Sequence, residues 1–406
     1  MEDRAGNPYL FRRTSPVWGF ARLCFSGILT GFRMKVAYVC PSFTRFSRQG
    51  ATSIDLFVRE SLGHSRHRET ACVFGPPVEA PFEGLRYEAN LAPSRIEKDF
   101  ARGFIEPLRR FDPDVIEVEQ HAPTAGLLAW ALPGVPVMLM RHNETPAPTS
   151  PVRRAAVRLR YRLLAGIGFC SDWARARFSA LYPELGPRCH VLHNGIDTER
   201  WKPRGEAKED LLICAGRMVP DKGILEFTRA VKKVLPRHPG WRAVAVTVRS
   251  PDHPAYGDEV AKAAEGLGAQ SEFISNVTHD EVMALYQRAQ IAVVPSRYEA
   301  LGRTAIEAHC AGAAVVSSGV GGLREVSGPW AEYRALEPDA IAEGIERLIA
   351  DPELRARLQK GGRERIVEQF DLKRVAKECD AVHEGLARAR GRSRLALALG
   401  YVPTVG

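Results

Sequence analysis

From residue 35 onward the chain alternates two hydrophobic periods. Short runs rich in Val, Ile and Ala read as buried strands at 35–39, 70–74, 114–118, 135–140, 166–170 and 189–192. A second series follows at 211–215, 241–248, 271–274, 291–294 and 313–317. Between the strands, apolar residues recur every three or four positions, the period of an amphipathic helix. These stretches are 52–63, 97–110, 124–131, 152–164 and 173–181, then 224–235, 256–266, 279–288, 303–311 and 338–350. Strand-then-helix alternation predicts an α/β protein with parallel sheets covered by helices on both faces. Two such series predict two doubly wound, Rossmann-like domains facing across a cleft. Turn and breaker residues cluster from Asn194 to Glu206, so residues 34–200 read as the first domain and 206–370 as the second. A long helical pattern at 372–390 opens the final segment, 371–406.

Composition narrows the class. With 406 residues, 45% hydrophobic and 26% charged, the chain is long enough for two cores and is neither disordered nor collagen-like. Its eight cysteines are scattered without a C-x-x-C pair, which argues against a zinc ribbon, a redox motif or a secreted framework. No run approaches 18 apolar residues, so a membrane-spanning helix is not expected. Arg12-Arg13-Thr14 and the apolar stretch behind it resemble a twin-arginine signal, but no small-residue cleavage site follows. Met34-Lys35 opens the first strand, so residues 1–33 read as a dispensable extension or a misassigned start. A cytoplasmic location is expected.

The formal charge of +9 is uneven, with +8 on residues 1–190 and +1 on the rest. An anionic partner and a simple arginine bias (11 of the 57 basic residues are Lys) both explain it. Much of the excess sits in 151–164, where Pro151 starts a helix and Arg154, Arg158 and Arg162 recur at four-residue spacing. Val152, Ala155, Ala156, Leu159 and Leu163 form the opposite stripe. This pattern fits either a helix on an anionic membrane surface or an ordinary helix packing its stripe on the sheet. Only Tyr161 interleaves the arginines, so specific nucleic-acid binding is not expected.

In open parallel sheets, ligands sit beyond the carboxyl ends of the strands, where helix N-termini offer free N–H groups. Three segments there could carry chemistry. After strand 291–294 comes Pro295-Ser296-Arg297-Tyr298-Glu299-Ala300-Leu301-Gly302-Arg303-Thr304-Ala305-Ile306-Glu307-Ala308. Glu299 in the loop can accept from hydroxyls, and the amides of Leu301, Gly302, Arg303 and Thr304 can hold a diphosphate on the helix dipole. Glu307, eight positions on, can accept from a ribose. After strand 211–215, Gly216-Arg217-Met218-Val219-Pro220-Asp221-Lys222-Gly223 brings two cations to one helix N-terminus, a clamp for a diphosphate that gains charge as it leaves. After strand 313–317, Gly319-Val320-Gly321-Gly322-Leu323-Arg324-Glu325 exposes bare amides and reads as a third wall.

These segments resemble the retaining glycosyltransferases of family four, whose E-x7-E motif takes the form P-S-x-x-E-x-x-G-x-x-x-x-E-A. The G-R-x-x-x-x-K-G and G-G-x-x-E segments match as well, as does His193-Asn194-Gly195-Ile196-Asp197 before the linker. The resemblance covers residues 34 to about 390. It implies the GT-B architecture, with a nucleotide-sugar domain following an acceptor domain and the last helix crossing back to the first. It also implies that Glu299 binds donor-sugar hydroxyls, Glu307 the ribose, and Arg217 and Lys222 the diphosphate. Gly302, Gly321, Gly322 and Asn194 would flank the donor. In the first domain, Gly50 stands in Arg48-Gln49-Gly50-Ala51-Thr52-Ser53, where relatives often have two glycines. His121 matches the family's active-site histidine, with His142 the alternative.

The implied reaction transfers a sugar from a nucleotide-diphospho sugar, with UDP the favoured nucleotide. The acceptor would be a glycan or a lipid-linked molecule, on the route to a surface polysaccharide. No cofactor or metal is expected, since Asp112-Pro113-Asp114 precedes a strand and reads as a turn instead of a metal clamp. A sugar-nucleotide epimerase or hydrolase, and a silent sugar-nucleotide-binding subunit, are the rival readings.

Overall fold

Thirteen strands form two parallel sheets in the computed structural model, which describes residues 33–90, 97–275 and 277–398. The expected extension lies outside the described residues except for Arg33, as does the chain end from residue 399. The first sheet comprises β1 (Val36–Val39), β2 (Cys72–Gly75), β3 (Tyr87–Ala89), β4 (Val115–Glu119), β5 (Val137–Arg141), β6 (Gly166–Phe169) and β7 (Cys189–Val191), ordered β3-β2-β1-β4-β5-β6-β7. The second comprises β8 (Glu209–Met218), β9 (Arg242–Arg249), β10 (Ser271–Ser275), β11 (Ala289–Val294), β12 (Ala314–Ser317) and β13 (Ala331–Tyr333), ordered β10-β9-β8-β11-β12-β13. Both sheets are doubly wound. The order reverses between β1 and β4 in one and between β8 and β11 in the other, which is where ligands bind such sheets.

The central strands are buried on both faces and are mostly apolar in sequence, except that β4 carries Glu117 and Glu119 into the core. β3 and β13 were not anticipated. Each is a three-residue edge strand, too short to set up a period. The helical stretch at 97–110 is in fact two helices, Glu97–Arg102 and Ile105–Phe111, with Gly103 between them. A larger departure is the 18-residue helix Pro352–Gln369, which has almost no apolar periodicity. It packs through Gly361 and Gly362 beside the buried Leu354, Leu358 and Ile366. A carbon added at Gly361 would lie 2.2 Å from the Trp330 ring, and one at Gly362 would lie 2.2 Å from His309 Nδ1.

The last helix, Leu372–Ala398, crosses back onto the first domain. Asp380 accepts from Ser65 Oγ at 2.6 Å, and His383 Nε2 lies 2.6 Å from the buried Glu117 of β4. The neighbouring buried carboxylate, Glu119, contacts His142 Nε2 at 2.6 Å. Burial, followed by the charge of Glu117, raises the Glu119 pKa well above the usual carboxylate range.

His309, fully buried in the last turn of the E-x7-E helix, has its pKa lowered to about 3 by burial and by Arg365. The unfolded chain therefore takes up a proton as pH falls below about 6.5 while the folded chain does not. Wild type is expected to lose stability relative to His309→Asn as pH falls from 6.5 towards 4. The loss should approach about 1.4 kcal/mol per pH unit in chemical denaturation. A pH-independent difference between the two would contradict this.

Candidate active site

The loops that follow β8 and β11 bring Lys222 and Glu299 to one place, while Glu307 lies within the next helix. β8 carries Arg217 near its end, exposed and without a side-chain hydrogen bond among the described residues. A single turn, Pro220–Lys222, then sets Lys222 beneath the next helix. Gly223 takes φ +65°, and a carbon there would lie 1.8 Å from the Pro295 carbonyl oxygen, so the turn abuts the loop after β11. Arg297 N–H donates to the Asp221 carbonyl at 2.8 Å across the same seam. Lys222 Nζ donates to both carboxylate oxygens of Glu299 at 2.8 Å. Two residues 77 positions apart thus present opposite charges at one point.

Glu299 is held there by the glycine turn after β12. Gly322 N–H donates to the Glu299 carbonyl at 3.0 Å. A carbon on Gly321 would lie 1.9 Å from that oxygen, and one on Gly322 would lie 2.4 Å from the Ala300 carbonyl oxygen. Gly302, at φ 107°, starts the helix Arg303–Cys310 with no side-chain cap. The first N–H groups of that helix, among them Arg303 and Thr304, lie beside the loop, where its dipole favours an anion. Leu301 is buried under the turn.

One helical turn in, Glu307 accepts from Arg303 Nε at 3.0 Å and contacts His279 Nε2 at 3.1 Å. Burial alone would raise its pKa, but the His279 hydrogen bond and the Arg303 charge outweigh burial and lower it. Arg303 also reaches Glu60, on helix Ser53–His64 of the first domain, at 3.0 Å. Burial works against its charge, but Glu60 and Glu307 more than offset this and keep it cationic.

Other contacts tie the same loop to the first domain. Ser171 Oγ donates to the Ala300 carbonyl, and the Glu144 N–H donates to Tyr298 Oη at 2.8 Å. Glu325 accepts from the Asp172 and Trp173 amides at 2.9 and 3.1 Å and contacts His193 Nε2 at 2.8 Å. It therefore caps a first-domain helix instead of facing the Glu299 side of its loop. Sequence reasoning missed Glu60, Glu144, Ser171 and His279 as neighbours of the site. Of these only Ser171 carried a signal, as a serine between a strand and a helix.

His121 follows β4 and caps helix Ala122–Ala131, with Nδ1 2.8 Å from Thr124 Oγ1 and accepting the Thr124 amide at 3.4 Å. Gln120, at φ +57°, bends the chain so that His121 leaves the sheet at its carboxyl end. This placement predicts that His121→Ala costs about 1 kcal/mol in a thermal melt and that His121→Asn recovers it. His142 sits in the core, hydrogen-bonded to Glu119 and edge-on to Phe57. Burial lowers its pKa to about 4. Its setting is therefore that of a neutral structural histidine.

Asn194 is buried in the crossing between the domains, where the adjacent Ile196 pairs with Phe370 and Leu372. Gly50, at φ +76°, is exposed beside a cavity of about 1200 Å³ between the loops after β1 and β2, bounded by Thr44, Arg45, Arg48 and Pro76 to Pro81. Asp112 caps helix Ile105–Phe111 and Asp114 accepts from Lys35 N–H, so both serve the turn.

Family profiles match the two halves in turn. One, described as Glycosyltransferase Family 4, matches residues 55–200, and the other, Glycosyl transferases group 1, matches 195–365. The alpha-maltose-1-phosphate synthase of Mycolicibacterium smegmatis is 29% identical over 63% of this chain and 74% of its own length. The lipopolysaccharide core biosynthesis mannosyltransferase LpcC of Rhizobium leguminosarum is 31% identical over 48% of this chain and 59% of its own. Among solved structures, sucrose-phosphate synthase from Thermosynechococcus elongatus superposes with a TM-score of 0.71 at 19% identity. Anabaena HepE in complex with UDP gives 0.72 at 16%, and each match covers 87% of this chain and all of the other.

Two parallel-sheet domains of this topology define the GT-B fold. With both halves matched by their profiles, the chain belongs to the family-four glycosyltransferases.

Proposed function

We propose that the chain transfers a sugar from a nucleotide-diphospho sugar, with UDP the favoured nucleotide, to a glycan or lipid-linked acceptor, retaining the anomeric configuration. The observation that carries this reading is the meeting of Lys222 and Glu299 beside the open N-terminus of helix Arg303–Cys310. That arrangement offers a cation, free amides and a carboxylate in the order that a diphosphate joined to a sugar requires. HepE, of the same fold, has been solved with UDP and with UDP-glucose. LpcC is named for a lipopolysaccharide core, which favours a surface glycan as the product here.

In this reading Glu307 accepts from the ribose and Glu299 from the sugar hydroxyls, while Arg217, Lys222 and the helix amides carry the charge of the leaving diphosphate. The bond from the anomeric carbon to the phosphate oxygen breaks, and the acceptor oxygen bonds on the same face. The acceptor's hydroxyl proton passes to the departing phosphate. Positioning and charge stabilisation then supply the catalysis, with no enzyme nucleophile. His121, at the carboxyl end of β4, would face the sugar or the acceptor. His121→Asn should accordingly restore stability but not turnover. The acceptor would enter from the first domain, at the inner face of the cell membrane for a lipid-linked molecule.

Proton NMR of the slow hydrolysis of an α-linked donor tests the reaction class. The α-sugar should appear first and mutarotate later. First appearance of the β-sugar would overturn retention.

A further inference from the structure

Helix Pro151–Arg162 turns its apolar stripe away from the protein. Tyr161 is its only buried residue, whereas Val152 and Leu159 are 79% and 64% exposed. Leu163, just past its end, is 47% exposed. At about 100° per residue, Val152, Ala156, Leu159 and Leu163 fall on one line, nearly opposite Tyr161. Arg153 and Arg160 flank that line on one side, and Arg158 and Arg162 on the other. The helix has no acidic residue.

The neighbouring helix extends the surface. A carbon added at Gly126 would lie 2.5 Å from the Arg160 stem, so Ala122–Ala131 runs against Pro151–Arg162. One turn beyond Gly126, Trp130 is 73% exposed, on a helix without a charged residue. An outward apolar line with cations along both flanks is the arrangement of a helix lying in a bilayer interface. Its apolar residues enter the acyl boundary and its arginines spread sideways to the headgroups. A tryptophan at the edge of such a face anchors at the same depth.

We propose that the face formed by Trp130, Val152, Leu159 and Leu163, with Arg153 and Arg162 beside it, docks on an anionic lipid bilayer. Arg158 is paired with Glu184 at 2.6 Å, but Arg153 and Arg162 have no acidic partner among the described residues, so charge complementarity selects an anionic lipid. This inference stands on the surface geometry and does not require the donor reading.

The test is sedimentation of the full chain with vesicles of phosphatidylcholine alone or with one-third phosphatidylglycerol. The wild type should partition to the anionic vesicles and not to the neutral ones, more weakly as salt rises. Leu159→Ser and Trp130→Ser should each reduce partitioning about tenfold or more. Arg153→Gln with Arg162→Gln should weaken it and flatten its salt dependence. Nucleotide release from a soluble donor should be unchanged in all of them, which separates this face from the donor site. Wild-type partitioning by every variant would overturn the proposal by assigning the binding to another part of the chain. So would a failure of the wild type to bind anionic vesicles. A wild-type dimer converted to monomer by Leu159→Ser would overturn it in favour of a second copy on this face.

Discussion

Lys222→Ala is expected to slow nucleotide release from the donor by roughly 100–1000-fold, with a much smaller change in KM. Lys222 meets Glu299 at 2.8 Å beneath the open end of helix Arg303–Cys310. A cation there acts mainly on charge that grows as the diphosphate leaves, so its removal should lower kcat more than ground-state binding. The substitution also leaves Glu299 without its ion pair. Lys222→Arg restores a cation with different geometry and should recover activity only in part. Steady-state release of the nucleoside diphosphate measures all three enzymes. A Lys222→Ala enzyme with wild-type kcat would remove the lysine from the chemistry.

Gly321→Ala should disable the site without touching a charged group. Its φ is +58°, and the added carbon would fall 1.9 Å from the Glu299 carbonyl oxygen. No side chain can move aside, because the opposing atom is backbone. Either the turn or the Glu299 loop must shift, at a cost on the order of 3 kcal/mol or more. For a domain of this size that is a fall in Tm of roughly 6–12 °C. Nucleotide release should be largely lost even at temperatures where the variant is folded. Gly186→Ala, with open space where its added carbon would fall, is the control and should be nearly neutral. An unaltered melt and full turnover for Gly321→Ala would show that the loop is not held as described.

The parallel-sheet plan was legible because central strands and their covering helices follow strict periods. β1, β11, β12 and the centre of β8, Leu211 to Cys214, are apolar or nearly so and almost wholly buried. Where packing depends on something other than periodicity, the sequence was silent. Pro352–Gln369 buries two glycines against Trp330 and His309, and glycine in mid-helix reads as a breaker. β3 and β13 gain their strand geometry from a neighbour in the sheet, not from their own composition.

The candidate-site residues were legible for a different reason. Glu299, Lys222 and the glycine turn are close to strand ends in sequence, and a parallel sheet gathers its strand ends together. The partners across the domain boundary had no such marker. Glu60 is one acidic residue on a helix face, yet it holds Arg303 across the boundary. Glu325 looked like part of the donor wall, but its neighbour Leu323 packs under Gly302 while its own carboxylate caps the first-domain helix at Asp172. His142 and His121 follow successive strands, and only the fold separates them, one in the core against Glu119 and the other on a helix cap.

Calorimetric titration with UDP, GDP and ADP, for wild type and for Glu307→Ala, tests most directly whether this is a nucleotide-sugar site. One nucleoside diphosphate should bind the wild type, with its monophosphate at least tenfold weaker and the Glu307→Ala enzyme weaker again. The first difference would report the clamp at Arg217, Lys222 and the helix N-terminus, and the second the ribose contact. Absence of binding by all three diphosphates, or equal binding of a diphosphate and its monophosphate, would contradict a donor site built on these residues.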